Sequence, residues 1–141
     1  MCNVATINSK LIDDAIIALK NDPEADSAVT VSNLNMYSPL RARKLGDEGY
    51  LKPFVPFETF GNPATLSCDR DSQGDVFFAD MSHSVSRSRA LDDIDQGLLP
   101  QRWMGQKIIP VFHTYGCDID LPWQISASKW WLDNNEFSDS N

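Results

Sequence analysis

No glycine occurs before Gly46, so the early part of the chain lacks the glycine-rich turn with which many nucleotide-binding folds cradle phosphate on backbone N–H groups. Reactive side chains are equally scarce. Cys2, Cys68 and Cys117 lie far apart with no Cys-x-x-Cys pair, and only His83 and His113 could complete a zinc set. That scatter excludes a disulfide framework and favours a reducing compartment with buried or inert thiols. Neither histidine neighbours an evident nucleophile, so no Ser-His-Asp set is legible, and both are read as packed or surface residues. No apolar run approaches the ~20 residues of a membrane span, and the N-terminus lacks the basic-then-apolar layout of a signal peptide. A soluble cytoplasmic protein is expected. Basic residues number 12 against 20 acidic ones, and the net charge of −8 excludes nucleic acid and anionic membrane as main partners.

What is present suits a folded core. The 141 residues, 42% of them hydrophobic and 10% aromatic, fit a single α/β domain over 1–135 with a polar, acidic, disordered tail at 136–141. Leu11, Ile12, Ala15, Ile16 and Leu19 recur at helical spacing, with Asn8 or Ser9 as N-cap and Asn21-Asp22-Pro23 as the stop. Ala28-Val29-Thr30-Val31 reads as a buried strand. A helix followed at once by a strand is half of a βαβ unit, and the strand expected before the helix is not found among the few upstream residues. The sequence therefore reads as starting in mid-fold.

Residues 37–74 change character. A hairpin is expected around Gly46-Asp47-Glu48-Gly49, and it gathers Arg41, Arg43, Lys44 and Lys52, with strand alternation placing Arg41 and Arg43 on one face. These cations form either an anion site or a solvated face. Pro53, Pro56 and Pro63 then rule out a central strand, and Phe54, Phe57 and Phe60 on so irregular a segment call for cover by another surface. A projecting dimerisation segment is expected here. Further on, 75–80 reads as a strand, Ser82 to Ser88 as a polar run into a turn, and Asp92-Asp93-Ile94-Asp95 as a solvated acidic run. Arg87 and Arg89 receive no role. Residues 107–112 read as a strand, and 121–134 as a helix with Trp123, Ala127, Trp130 and Trp131 packed inward.

Between that last strand and helix lies Gly116-Cys117-Asp118-Ile119-Asp120. In an extended segment Asp118 and Asp120 point the same way, and two carboxylates on one rim suit Mg²⁺, which fills its remaining sites with water and substrate phosphates. Spacing alone favours Asp120 as the N-cap of the helix, with Pro122 tolerated in its first turn.

Taken together, Ala25-Asp26-Ser27-Ala28-Val29-Thr30-Val31, the Gly49-Tyr50-Leu51-Lys52-Pro53 turn and Cys117-Asp118-Ile119-Asp120 resemble the C-terminal half of the acylneuraminate (CMP-sialic acid synthetase-like) cytidylyltransferases. The resemblance covers nearly the whole chain. It implies the C-terminal part of a nucleotide-diphospho-sugar-transferase-like, Rossmann-like three-layer fold, a homodimer, and transfer of CMP from CTP to an acidic sugar with release of pyrophosphate. It further implies Mg²⁺ on Asp118 and Asp120, and a sugar acid met by Arg41, Arg43 and Lys52. Where that family carries an Arg-x-Asn-Gly-like segment, this chain has Phe78-Ala79-Asp80-Met81. Lacking a phosphate loop before Gly46, the chain is expected to be inactive alone: a truncated gene product, a fragment, or a unit that needs a separate N-terminal nucleotide-binding chain. A non-catalytic dimeric assembly module and a glycosyltransferase-like fragment, which also uses Asp-x-Asp, stand as alternatives.

Overall fold

The computed structural model describes residues 3–116 and 118–135. Cys2, Cys117 and the expected tail at 136–141 lie outside them. The chain is mixed α/β and divides into two compact units, Met1–Ser32 with Ala79–Asn141, and Asn33–Phe78. Among the described residues no helix is long and apolar enough to cross a membrane.

The first unit begins with helix α1 (Ser9–Asn21), where Asn8 caps by accepting the Leu11 N–H at 3.0 Å and Asp22 closes the other end by donating its N–H to Ala18 O. Leu11, Ala15 and Leu19 turn inward and meet Ala25, Ala28 and Val111, with Val85 and Ile109 packed around them. Strand β1 (Ser27–Asn33) is the centre of a three-stranded sheet ordered β4, β1, β5. Strand β5 (Ile108–Phe112) runs parallel to β1, with Ser27 opposite Ile108 and Val31 opposite Phe112. Strand β4 (Phe77–Ser86) lies on the other side. The Arg87 N–H donates to Asp26 O and the His83 N–H to Thr30 Oγ1, contacts that run in opposite senses along the two segments and make β4 antiparallel to β1. The polar run expected to lead into a turn stays strand through Ser86. Pairing with the buried centre of the sheet outweighs its weak strand propensity.

Arg87 and Arg89, unassigned from sequence, clamp the connection from α1 to β1. Arg87 donates to Leu19 O, Asp22 O and Ala25 O, and Arg89 to Pro23 O, Ala25 O and the Asp26 carboxylate at 2.9 Å. The short helix α2 (Ser88–Asp92) follows, and the acidic run at 92–95 is exposed, as expected.

Helix α3 (Pro122–Asn134) corrects the expected packing face. Trp123 and Trp130 are 62% and 65% exposed, whereas Ser128 is buried and Ala127 and Trp131 are half-buried. Trp131, on the half-buried side, is the tryptophan of this helix that packs, against the rings of His113 and Tyr115.

In the second unit, β2 (Arg43–Leu45) and β3 (Leu51–Pro53) form the expected hairpin, with Arg43 opposite Pro53, Lys44 opposite Lys52 and Leu45 opposite Leu51. Single 3₁₀ turns at Phe57–Phe60 and Pro63–Thr65 replace any further strand. Only Ser38 and Leu40 are buried within this unit, which is held largely by polar bonds such as Asn35 Nδ2 to Asp71 at 2.8 Å and the Val76 N–H to Asn35 Oδ1 at 2.8 Å.

Candidate functional site

The Asp-bearing loop after β5 is tied down almost group by group. Thr6 Oγ1 donates to Tyr115 O at 2.5 Å, the Gly116 N–H to Ser32 Oγ at 3.0 Å, and the Ile119 N–H to Asn3 O at 2.9 Å. Gln124, from the first turn of α3, accepts with one Oε1 the N–H of Asp120 at 2.8 Å and that of Leu121 at 2.6 Å. Leu121 is therefore the N-cap residue, not Asp120, and the capping oxygen reaches back from inside the helix. Trp131 stacks on Tyr115 and meets His113 edge-on, each at 6.2 Å between centroids, so the helix also covers the start of the loop.

Asp118 and Asp120 lie in this loop rather than in a strand, and no pleat aligns them. Asp118 is half-buried, while Asp120 is exposed and accepts from Asn3 Nδ2 at 3.3 Å. Among the described residues no three His, Cys, Asp or Glu side chains converge as a metal cage. Asp118 and Asp120 are the two carboxylates of this loop that could hold a divalent ion whose other sites are filled by water and phosphate.

Arg41, Arg43 and Lys52 belong to the second unit. The structure corrects their expected alignment: Arg41 closes a 3₁₀ turn (Pro39–Arg41) instead of starting a strand, and donates to Met36 O. Arg43 donates to Leu40 O and Ala42 O and lies 5.1 Å over the Phe57 ring. Lys52 pairs with Lys44, so it shares a face with that residue and not with Arg43. Cys68 is a free, exposed thiol, so of the expected buried or inert thiols it is not a buried one.

Sequence reasoning passed over a polar cluster inside the first unit. The Asp80 side chain is only 2% exposed, and its Oδ2 accepts from Ser32 Oγ at 2.6 Å while Oδ1 accepts the Ser82 N–H at 3.0 Å. His113 is buried beside it, with Nδ1 3.4 Å from Asp80 Oδ2 and 3.3 Å from Ser82 Oγ. Its Nε2 is 3.1 Å from Thr6 O, and since a carbonyl only accepts, that nitrogen carries the proton. Burial pushes the Asp80 carboxyl upward, but the adjoining His113 and Thr30 side chains and the hydrogen bonds from Ser32 and the Ser82 N–H together hold it well below the usual carboxylate range.

Serine and aspartate approach the same ring nitrogen, so His113 cannot pass a proton from one to the other across its ring. The cluster is a buried anchor and not a nucleophile triad. No protein-family model and no curated protein matches this chain. The one signal that could have exposed the cluster is period-two alternation, which sets Asp80 and Ser82 on one face of β4.

Proposed function

We propose that this chain supplies the metal-holding and sugar-facing part of a cytidylyltransferase that moves CMP from CTP to an acidic sugar with loss of pyrophosphate, on a Rossmann-like nucleotide-diphospho-sugar-transferase fold. One observation carries the reading. Asp118 and Asp120 lie between β5 and α3, past the carboxyl end of a strand parallel to its neighbour β1, and open α/β sheets take ligands outside those ends. Asp118 and Asp120 would hold Mg²⁺, which when bound neutralises phosphate charge. The 141 residues alone are expected to release no pyrophosphate from CTP with any 2-keto sugar acid, because no glycine-rich backbone precedes Gly46 to cradle the triphosphate.

Calorimetry tests the metal site. Mn²⁺ titrated into the protein with a CMP-sugar acid present should bind weakly, and the pair Asp118→Asn with Asp120→Asn should abolish the signal. Equal binding by parent and variant would overturn the reading.

An apolar groove of about 490 Å³ lined by Met36, Tyr37, Phe54, Val55 and Phe78 favours a second reading, a dimeric assembly module. Light scattering should then give about twice the 15.8 kDa chain mass. Phe54, which is 60% exposed, is the residue to change, because Phe57 already lies half-buried under Arg43. Phe54→Ser should yield monomer, and a parent that is monomeric at micromolar concentration sinks the dimer.

A further inference from the structure

We propose that Ser32 is a positioning residue for the Asp118 loop, its hydroxyl linking the Gly116 amide to the buried Asp80 carboxylate so that the sheet fixes where the loop begins. The inference rests on the metal reading given above.

Three segments meet in this link: Ser32 on β1, Asp80 on β4, and Gly116 in the loop two residues before Asp118. Ser32 is 2% exposed, donates to Asp80 Oδ2 at 2.6 Å and accepts the Gly116 N–H at 3.0 Å. A hydroxyl can donate to a carboxylate and accept from an amide at once, which neither alanine nor an ammonium can do. Because its acceptor is ionised, the Ser32 to Asp80 bond is short and of the stronger kind. Glycine is required at the third point. A Cβ at Gly116 would collide with Asp80 Oδ2 and Ser82 Oγ, so only a bare Cα comes this close to the buried charge.

The consequence for a metal is direct. An ion held by two carboxylates and water depends on where those carboxylates stand before it arrives, and residues that orient such ligands are typically worth about 10–100-fold in affinity. Ser32 touches neither metal nor substrate in this scheme and acts through the backbone of Gly116.

The test has two readouts on the full chain. The first is the hydrogen-exchange rate of the Gly116 amide by NMR, which should rise about fivefold or more in Ser32→Ala, the scale expected when one buried bond is lost. The second is Mn²⁺ affinity by calorimetry, which should fall about tenfold or more in both Ser32→Ala and Gly116→Ala. Ser32→Thr keeps the hydroxyl and should retain the slow exchange and the parent affinity. Parent-like Mn²⁺ binding in Ser32→Ala and Gly116→Ala overturns the positioning role while leaving the metal reading intact. A parent that binds no Mn²⁺ removes the metal reading instead, and the link is then decided by exchange alone: an unchanged Gly116 rate in Ser32→Ala refutes it.

Discussion

His83 and Asp80 sit three residues apart on β4 and respond to acid for opposite reasons. Both ring nitrogens of His83 are buried without a hydrogen-bond partner, and burial lowers its pKa below the usual 6.5, with Asp80 pulling up and His113 pushing down. Below pH about 6.5 the unfolded chain binds a proton that folded His83 refuses, so stability falls as pH drops from there. His83→Leu should flatten the urea midpoint between pH 5 and 7, and a slope as steep as the parent's would place the titration elsewhere. Asp80 and Asp26 act lower on the scale. The Asp26 carboxyl is brought to about 2 by the N–H groups of Lys107 and Gln106 and by the Arg89 guanidinium. Both folded pKa values lie below the unfolded value, so their contribution is complete above pH about 4 and is lost as pH falls toward 2. Asp80→Ala, which strands the Ser32 hydroxyl and the Ser82 N–H, should cost roughly 1–3 kcal/mol or more at neutral pH.

At the scale of elements, α1 is the best-determined piece, and its stability should track its buried face. Leu19→Ala is expected to cost about 2–5 kcal/mol and Asn8→Ala about 1 kcal/mol in chemical denaturation. Equal losses would mean that the cap and not the core anchors the helix. This helix, β1, the hairpin and β5 were legible because each follows a local rule: apolar spacing, a β-branched run, or glycines at a turn. What stayed hidden depends on residues far apart in sequence. Nothing local distinguishes the Trp123 stripe of α3 from the side that carries buried Ser128, because the rings that Trp131 meets, His113 and Tyr115, come from a preceding segment. The roles of Arg87 and Arg89 are likewise set by carbonyls at Leu19 to Asp22 and at Pro23 to Ala25, more than 60 residues away. The Asp-x-Asp pair was visible, but its supports, Asn3, Thr6, Ser32 and Gln124, were not.

For the molecule as a whole, the two units differ in how they are held. The first has an apolar core around Ala15, Ala28 and Val111, and the second buries only Ser38 and Leu40. Amides within 33–78 should therefore exchange by local opening well before those of α1, β1 and β5, which open only with the core. Hydrogen-exchange mass spectrometry of native protein checks this, and uniform protection across both units would contradict it. The paired Lys44 and Lys52 carry a further consequence. Like charges directly opposite each other in a ladder repel, and dissolved ions screen that repulsion within about 10 Å at 0.1 M. The hairpin should thus tighten as ionic strength rises, under the same conditions in which the exposed pairs Lys10 with Asp14 and Lys129 with Asp133 weaken. Added sodium chloride would then firm one part of this acidic protein while loosening the surfaces of its helices.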